Sequence, residues 1–317
     1  MRRRESNETR LLSRREFGGL CAALSSFVTS SALALDAASG AESTGAGRTA
    51  KFHDGTVVPV LGQGYGDVGQ GRRPPAVEEE ALRTGISLGM ALIDTAESYG
   101  EGRSEELISH VIAGQRDHVF LVSKVEGDQV SGDGIPRACA ASLARLGTDY
   151  LDLYLLHWPV RSAQFSGVVA AFEQLRAARK IRAWGVSNFN VGQMEDLLRV
   201  PDGPRCATNQ VAYSLNNRRI EKDVLPWCKQ HNIPVMAYSP LGGDKHLVVG
   251  DHTLVQVGTA HGCSAAAIAL AWVIRSGNVI AIPESGSPAH VKENAVALSM
   301  ALTPRDLQTL DAAYPSA

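Results

Sequence analysis

Four side chains of types used in proton transfer follow short apolar runs in the 317-residue sequence: Asp94, Tyr99, Lys124 and His157. A lysine paired with an aspartate can place a cation beside a tyrosine hydroxyl, which should lower the tyrosine pKa from about 10 towards neutrality. A phenol tuned in this way can give a proton to a carbonyl oxygen while hydride reaches the carbonyl carbon. A neutral histidine can orient the same oxygen by a hydrogen bond. Together these residues predict carbonyl reduction.

Each residue also has a structural interpretation when taken alone. Asp94 could cap a helix, and Lys124 could be a solvated loop residue. His157 could pack in a turn, and Tyr99 could be a surface aromatic residue. The catalytic interpretation therefore depends on whether the fold brings all four to one place, since perturbed titrating groups cluster at active sites.

The four residues lie within a regular alternation of short apolar runs and longer helical patterns. Runs of four to eight apolar residues are typical of strands that are buried on both faces. The predicted strands are Val57–Gly62, Ala91–Thr95, Val119–Ser123, Leu151–Leu156, Ala183–Ser187, Ala207–Val211, Val235–Tyr238 and Val279–Ile282. The predicted helices are Ala76–Leu88, Ser104–Ala113, Pro136–Leu146, Val168–Arg179, Met194–Arg199, Glu221–Gln230 and Ala265–Arg275.

Eight strand–helix repeats in about 250 residues predict an α/β fold, a single-domain (β/α)8 TIM barrel. An open doubly wound sheet would carry a G-x-G-x-x-G turn that opens a helix after its first strand. The glycine-rich segment 62–66 follows the first predicted strand, but no helix opens there. In a closed barrel the carboxyl ends of the strands meet at one face, so Asp94, Lys124 and His157 should converge there, with Tyr99 on a neighbouring loop.

Longer motifs around these residues resemble the signatures of aldo-keto reductases. The motifs are Asp94–Gly100, Ser123-Lys124, Leu156–Pro159, Gly185–Phe189, Asn209-Gln210, Tyr238–Leu241 and Ile282-Pro283. The resemblance covers about residues 50–315 and is nearest to bacterial reductases of methylglyoxal and other small aldehydes. It implies that Asp94, Tyr99, Lys124 and His157 are the catalytic residues and that NADPH is the coenzyme. An alternative is a nicotinamide-nucleotide-binding sensor or interaction subunit on the same fold.

The resemblance also implies where the coenzyme binds. Ser187, Asn188 and Gln210 should hold the nicotinamide carboxamide, and Tyr238 should stack on the ring. The other implied coenzyme contacts are Gly64, Tyr65, Asp94, Ser239, Leu241, Ile282, Pro283, Glu284, Ser285, Ser287, His290, Glu293 and Asn294.

The chain departs from the NADPH-preferring pattern after its last strand. Glu284 stands where that pattern has a lysine, and His290 stands where it has an arginine. A carboxylate repels a 2′-phosphate but can accept a hydrogen bond from a ribose 2′-hydroxyl. Lys292 could compensate if it reaches the phosphate. We therefore expect a weakened preference for NADPH, with use of NADH as well.

Short loops at the predicted active end suggest an open pocket. Few residues separate His157 from the next predicted helix, and the chain stops soon after Tyr314. This brevity favours small or varied aldehydes, which would contact Tyr99 and His157 between walls formed by Trp158 and Tyr65.

The first 49 residues have the composition of an export signal and a tether. Arginines begin the chain, residues 17–35 carry no charge, and small residues around Ala34 are typical of a cleavage site. The paired Arg14-Arg15 resembles a twin-arginine signal, which predicts a signal peptide at 1–34, a flexible linker at 35–49 and the barrel at 50–317. We expect periplasmic or exported protein delivered by the twin-arginine (Tat) machinery, without stable membrane insertion. A cytoplasmic location is the alternative.

Overall composition limits the partners. The formal net charge is −2 at pH 7 and no basic run stands out, so nucleic acid is not an expected partner. Cys139, Cys206, Cys228 and Cys263 form no C-x-x-C pair, so no metal site is expected and the thiols should be free and buried. We expect a monomer that acts on a small carbonyl compound.

Overall fold

Eight parallel strands form one sheet in the computed structural model, which describes residues 48–243 and 246–316. Each strand pairs with its neighbours in chain order, as the (β/α)8 prediction requires. The barrel strands are β3 (Gly62–Gly64), β4 (Leu92–Asp94), β5 (Phe120–Val125), β6 (Leu151–Leu156), β7 (Ile181–Ser187), β8 (Asn209–Ala212), β9 (Val235–Tyr238) and β10 (Val279–Ile282).

Backbone contacts between the first and last strands close the barrel. Gly64 N donates to Pro283 O at 2.9 Å, and Ala281 N donates to Val60 O at 2.8 Å. Bridges join Leu61 to Ala281 and Gly64 to Glu284 in parallel register. The predicted closed barrel is therefore confirmed.

For the most part, the first predicted strand is not part of the barrel. Val57–Pro59 is β2 of a hairpin, antiparallel to β1 (Thr49–Lys51), and the first barrel strand is Gly62–Gly64, in the glycine-rich segment that follows the predicted strand. Its glycines hide the strand pattern, yet the packing requires them. A Cβ on Gly62 would lie 2.6 Å from Leu92 Cδ2, and one on Gly64 would lie 2.9 Å from Ile282 O.

The hairpin covers the amino-terminal end of the barrel, opposite the predicted active face. Its side chains Ala50 and Val58 are buried, and the ring of Phe52 meets that of Phe120 edge-on at 6.0 Å between centroids. Because Phe120 begins β5, this contact lies at the end of the barrel where the strands start.

Helices surround the barrel and bury their apolar faces on it. They are α1 (Pro75–Ser87), α2 (Arg103–Ile112), α3 (Gly134–Leu146), α4 (Phe165–Ala177), α5 (Val191–Arg199), α6 (Val224–Gln230), α7 (His252–His261), α8 (Ala265–Val273), α9 (Pro288–Ala295) and α10 (Pro304–Ala313). All seven predicted helices are present with shifted ends. Helix α5 is capped by Asn190, whose side chain accepts from Gln193 N, so the helix starts directly after the loop carrying Asn188.

Two further findings concern the predictions from composition. In the described residues, no single helix has the length and hydropathy to cross a membrane; α7 and α8 pass that test only as a pair, bent by 94°. The four cysteines of the described chain are free; Cys139, Cys206 and Cys228 are buried, and Cys263 is partly exposed. Burial raises the pKa of the Cys206 thiol to about 12, which keeps it protonated.

Candidate active site

The four predicted catalytic residues meet at the carboxyl end of the barrel. Asp94 ends β4, Lys124 is the penultimate residue of β5, and His157 directly follows β6. Tyr99 begins a short turn after β4, in which Gly100, Glu101 and Gly102 have positive φ angles of 57°, 59° and 91°. This left-handed backbone folds the loop back over the barrel and brings the tyrosine to the strand ends.

A buried lysine links three polar groups at the centre of the site. Lys124 is fully buried, and its Nζ donates to Asp94 Oδ2 at 2.6 Å, Thr95 O at 2.9 Å and the Tyr99 hydroxyl at 3.2 Å. The other Asp94 oxygen, Oδ1, accepts from Gln210 Nε2 at 2.7 Å. All three ammonium protons and both carboxylate oxygens are thus engaged, which is the condition for holding a buried ion pair.

The tyrosine pKa moves in the direction opposite to the predicted one. Burial raises the pKa of Tyr99 above its ordinary 10; Lys124 lowers it, but Asp94 raises it again and the net shift is upward. The prediction considered the effect of the Lys124 cation on the tyrosine pKa, but not the effects of burial and of the negative charge of Asp94. Tyr99 is therefore a fully protonated phenol at neutral pH, with a cation in place to stabilise the phenolate that forms when the proton leaves.

The charged forms of the neighbouring groups follow from the same contacts. Burial opposes the positive charge of Lys124, but Asp94 and Tyr99 outweigh it and raise the lysine pKa above its ordinary value. Burial and the nearby Lys124 lower the pKa of His157 below its ordinary 6.5, against an opposite effect of Glu126. At neutral pH the site therefore holds Lys124 as a cation and His157 as a neutral imidazole, the state expected for the histidine.

Sequence patterns did not indicate Glu126, which contacts the histidine. Its Oε1 lies 2.5 Å from His157 Nδ1 and also accepts from Ser98 Oγ at 2.7 Å. Glu126 follows Lys124 by two residues, just beyond the end of β5, where barrel enzymes place functional groups. Its position at the carboxyl end of a predicted strand could have marked Glu126 as a candidate site residue.

The residues expected to hold a nicotinamide ring line a neighbouring part of the same cleft, whose volume is about 610 Å³. Asn188, with a positive φ of 65°, donates from Nδ2 to Ser187 Oγ at 3.0 Å and to His157 O at 3.1 Å. Its Oδ1 accepts from the Tyr238 hydroxyl at 3.0 Å. Amide, hydroxyl and aromatic groups thus lie together at the ends of β7, β8 and β9. This donor set fits a planar ring with a carboxamide.

The far part of the cleft carries charges of both signs. It is lined there by Glu284, Ser285 and His290 from the segment after β10, and by Arg72 and Arg73 from the loop after β3. Glu284 Oε2 accepts from Asp67 N at 3.2 Å, which ties that loop to the end of β10. The two arginines were not predicted, and they place cations in the cleft that contains the unexpected carboxylate.

The structure brings most, but not all, of the predicted contact residues to the cleft. Gly64, Asp94, Ser239, Leu241, Ile282 and Pro283 line it, as do the residues described above. Ser287, Glu293 and Asn294 are not among the lining residues, and Asn294 is buried in α9.

The two predicted substrate walls differ. Trp158 is 51% exposed and stacks on His157 with 5.8 Å between ring centroids. The Tyr65 side chain has no exposed surface, and its hydroxyl lies 3.4 Å from the buried Gln63 Oε1. Tyr65 adjoins the cleft, but its ring packs in the core and cannot serve as the predicted substrate wall.

The fold and the site define a barrel oxidoreductase: a proton donor, its cation, a histidine and a dinucleotide-sized cleft share the carboxyl end of a (β/α)8 barrel. The family model "Aldo/keto reductase family" matches residues 60–315, so the chain belongs to the aldo/keto reductase family. It is an enzyme that reduces carbonyl groups, which decides against the sensor alternative.

Individual relatives agree with the family model. Methylglyoxal reductase YeaE of Escherichia coli is 46% identical over 84% of this chain and 94% of its own length. Glyoxal reductase of Bacillus subtilis is 33% identical over 83% and 92%. An aldo/keto reductase from Klebsiella pneumoniae, crystallised with NADP and acetate, is 44% identical and superimposes with a TM-score of 0.82 over 86% of this chain and 97% of that one.

Proposed function

We propose that the chain reduces small aldehydes, with 2-oxoaldehydes such as methylglyoxal as the leading class, and that it uses NADPH. The buried Lys124–Asp94 pair against the Tyr99 hydroxyl carries this proposal, because it combines a proton donor with a charge that stabilises the donor after transfer. The reductases of methylglyoxal and glyoxal among its relatives support the substrate class. A related structure from Klebsiella pneumoniae in complex with NADPH supports the coenzyme.

The residues of the chain manage the proton and the orientation of the substrate. NADPH, when bound, supplies the hydride that adds to the carbonyl carbon. Tyr99 gives its hydroxyl proton to the carbonyl oxygen, and Lys124 stabilises the phenolate left behind. Asp94 keeps Lys124 charged while it is buried. His157, whose ring meets the Tyr99 ring edge-on with 5.6 Å between centroids, lies on the same side of the cleft as the acid, where an N–H of the ring can orient the oxygen.

The same cleft holds the coenzyme in this proposal. Ser187, Asn188 and Gln210 hold the carboxamide, and Tyr238 covers the ring. At the far part, Glu284 disfavours the 2′-phosphate while Arg72 and Arg73 favour it, so we propose that NADH is accepted as well. The ratio of kcat/KM for the two coenzymes tests this: an NADPH advantage above about a thousandfold, or about 4 kcal/mol, would exclude dual use.

An open cleft supports small and varied substrates. Trp158 and Leu247 line the cleft and are 51% and 57% exposed, so the cleft is open to solvent beside both residues. The experiment is a coenzyme-oxidation assay of the purified chain with methylglyoxal, glyoxal, a simple aliphatic aldehyde and a bulky aromatic ketone. The proposal expects the highest kcat/KM with the 2-oxoaldehydes. A preference for the bulky ketone would contradict the substrate class.

Export and monomeric state belong to the same proposal. The paired Arg14-Arg15 and the uncharged run at 17–35 support a Tat signal at 1–34; this segment and most of the linker at 35–49 lie outside the described residues. Fractionation of cells that carry the full chain, beside an Arg14→Lys/Arg15→Lys variant, tests export. Wild-type enzyme in the periplasm and variant enzyme in the cytoplasm are expected, and equal distributions would refute it. Light scattering of the purified chain measures its mass in solution: the mass of one chain is expected, and the mass of two chains would contradict the monomer.

A further inference from the structure

Glu126 connects three of the four catalytic positions. It lies two residues after Lys124, and its Oε1 accepts from Ser98 Oγ, in the residue before Tyr99. The same oxygen lies 2.5 Å from His157 Nδ1. Its backbone is fixed as well, because Glu126 N donates to Glu97 Oε1 at 2.8 Å. A carboxylate held in this way can act on the histidine throughout the reaction.

We propose that Glu126 is a positioning residue that keeps the proton of neutral His157 on Nδ1, so that Nε2 donates to the substrate oxygen only when the imidazole is protonated. A carboxylate accepts hydrogen bonds and cannot donate them, so the ring nitrogen facing it must carry the proton. A neutral imidazole has only one N–H, and its Nε2 is then an acceptor. For its effect on rate, this inference rests on the proposed carbonyl reduction.

The groups around the ring act on the His157 pKa in both directions, and their net effect lowers it below its ordinary value. Lys124 and burial oppose a charge on His157, while Glu126 and Asp94 favour it. Tyr99 contacts the ring edge-on and remains uncharged at neutral pH, and the Glu97 carboxylate accepts from the backbone N–H of Glu126. Glu126 is 28% exposed and His157 12% exposed at the side chain, so protons can reach the pair from the cleft.

The protonated form is the one that donates from Nε2 to a carbonyl oxygen. Above the His157 pKa its population falls tenfold for each pH unit, and kcat/KM should fall with it. In Glu126→Gln the amide can donate to His157 Nδ1, so the neutral ring can carry its proton on Nε2 and donate from it. Above the His157 pKa, kcat/KM should then fall by less than tenfold for each pH unit, while the value well below the pKa changes little.

The first experiment reads the tautomer without turnover. The full chain is labelled with 15N-histidine, and the His157 signals are assigned by their loss in His157→Asn. Between pH 5 and pH 9, the proposal expects a neutral form with the proton on Nδ1 and a bare Nε2. A neutral form with the proton on Nε2 would overturn it. Because no substrate is present, this result stands even if the proposed reduction fails.

The second experiment compares pH profiles of kcat/KM for methylglyoxal in three variants. Glu126→Gln should flatten the fall in rate above the His157 pKa, while Glu126→Asp, which keeps a carboxylate, should keep the fall. Glu101→Gln is the matched control: it also removes a carboxylate near Tyr99, but its side chain is 88% exposed and pairs with Arg103. An unchanged profile in Glu126→Gln, or an equal flattening in Glu101→Gln, would overturn the proposal. If Glu126→Gln does not fold, the tautomer of the wild-type chain decides.

Discussion

Replacing Asp94 by Asn tests the buried ion pair at the centre of the site. The substitution keeps the shape of the side chain, so it leaves no cavity and changes mainly the charge. Lys124 is then fully buried among neutral groups, which include Thr95 O and the Tyr99 hydroxyl, and no negative charge faces its cation. An uncompensated buried charge costs about 3–5 kcal/mol. We expect Asp94→Asn to lower the free energy of unfolding by about this amount at pH 7.

The lysine limits this cost by losing its proton. Its ordinary pKa is 10.5, so neutralising it at pH 7 costs about 5 kcal/mol, and at pH 9 about 2 kcal/mol. In the variant, the folded-state pKa of Lys124 lies below that of the unfolded chain, so the unfolded state binds more protons. Stability of the variant relative to wild type therefore rises with pH, by up to about 1.4 kcal/mol per pH unit. In wild type the lysine pKa is raised, so Lys124 adds no pH dependence of stability between pH 7 and pH 9.

Urea unfolding of both proteins at pH 7, 8 and 9 measures this effect. Asp196→Asn is the matched control, since it removes a carboxylate from an exposed ion pair with Arg199. The control should cost less than about 1 kcal/mol, with no pH dependence over this range. A cost below about 1 kcal/mol for Asp94→Asn at pH 7, or one that stays constant to pH 9, would refute the description of Lys124 as a buried cation that depends on Asp94.

Three further predictions concern ionisation, coenzyme choice and packing. Tyr99 in the coenzyme-free protein should ionise above pH 10 in difference absorbance spectra against Tyr99→Phe; ionisation below pH 9 would contradict the burial argument. Glu284→Lys should tighten NADPH binding about tenfold, or about 1.4 kcal/mol, in a fluorescence titration. An equal gain for NADH would show that the 2′-phosphate is not involved. Gly185→Ala should cost about 1–3 kcal/mol in thermal unfolding because its Cβ would lie 2.6 Å from Thr208 O, whereas Gly167→Ala, in open space on α4, should not destabilise.

Most of the fold could be predicted because seven of the eight barrel strands coincide with short, mostly apolar and largely buried runs. The exception, Gly62–Gly64, carries two glycines because Leu92 and the backbone of Ile282 occupy the space of a Cβ. Because two of its three residues have no side chain, β3 lacks the run of apolar residues by which the other strands were predicted. The neighbouring Val57–Pro59 has the pattern but belongs to the hairpin, which explains the displaced prediction.

The catalytic residues could be predicted because they sit at the ends of consecutive strands, where chain order fixes position. The pKa of Tyr99 could not, because its direction depends on burial and on the distance to both Lys124 and Asp94. Contacts made by a distant loop could not be predicted either. Arg72 and Arg73 line the cleft from the loop after β3, and no sequence pattern within that loop indicates that it approaches Glu284.

The most direct test of the central claim is the turnover of Tyr99→Phe with methylglyoxal and NADPH. Tyr150→Phe is the control, since it removes a hydroxyl that bonds Asp117 outside the cleft. Loss of the acid should lower kcat by about 100- to 10,000-fold while NADPH binding, measured by fluorescence, stays within about twofold. The control should keep wild-type turnover. A Tyr99→Phe enzyme that retains kcat within tenfold of wild type would contradict the assignment of Tyr99 as the proton donor.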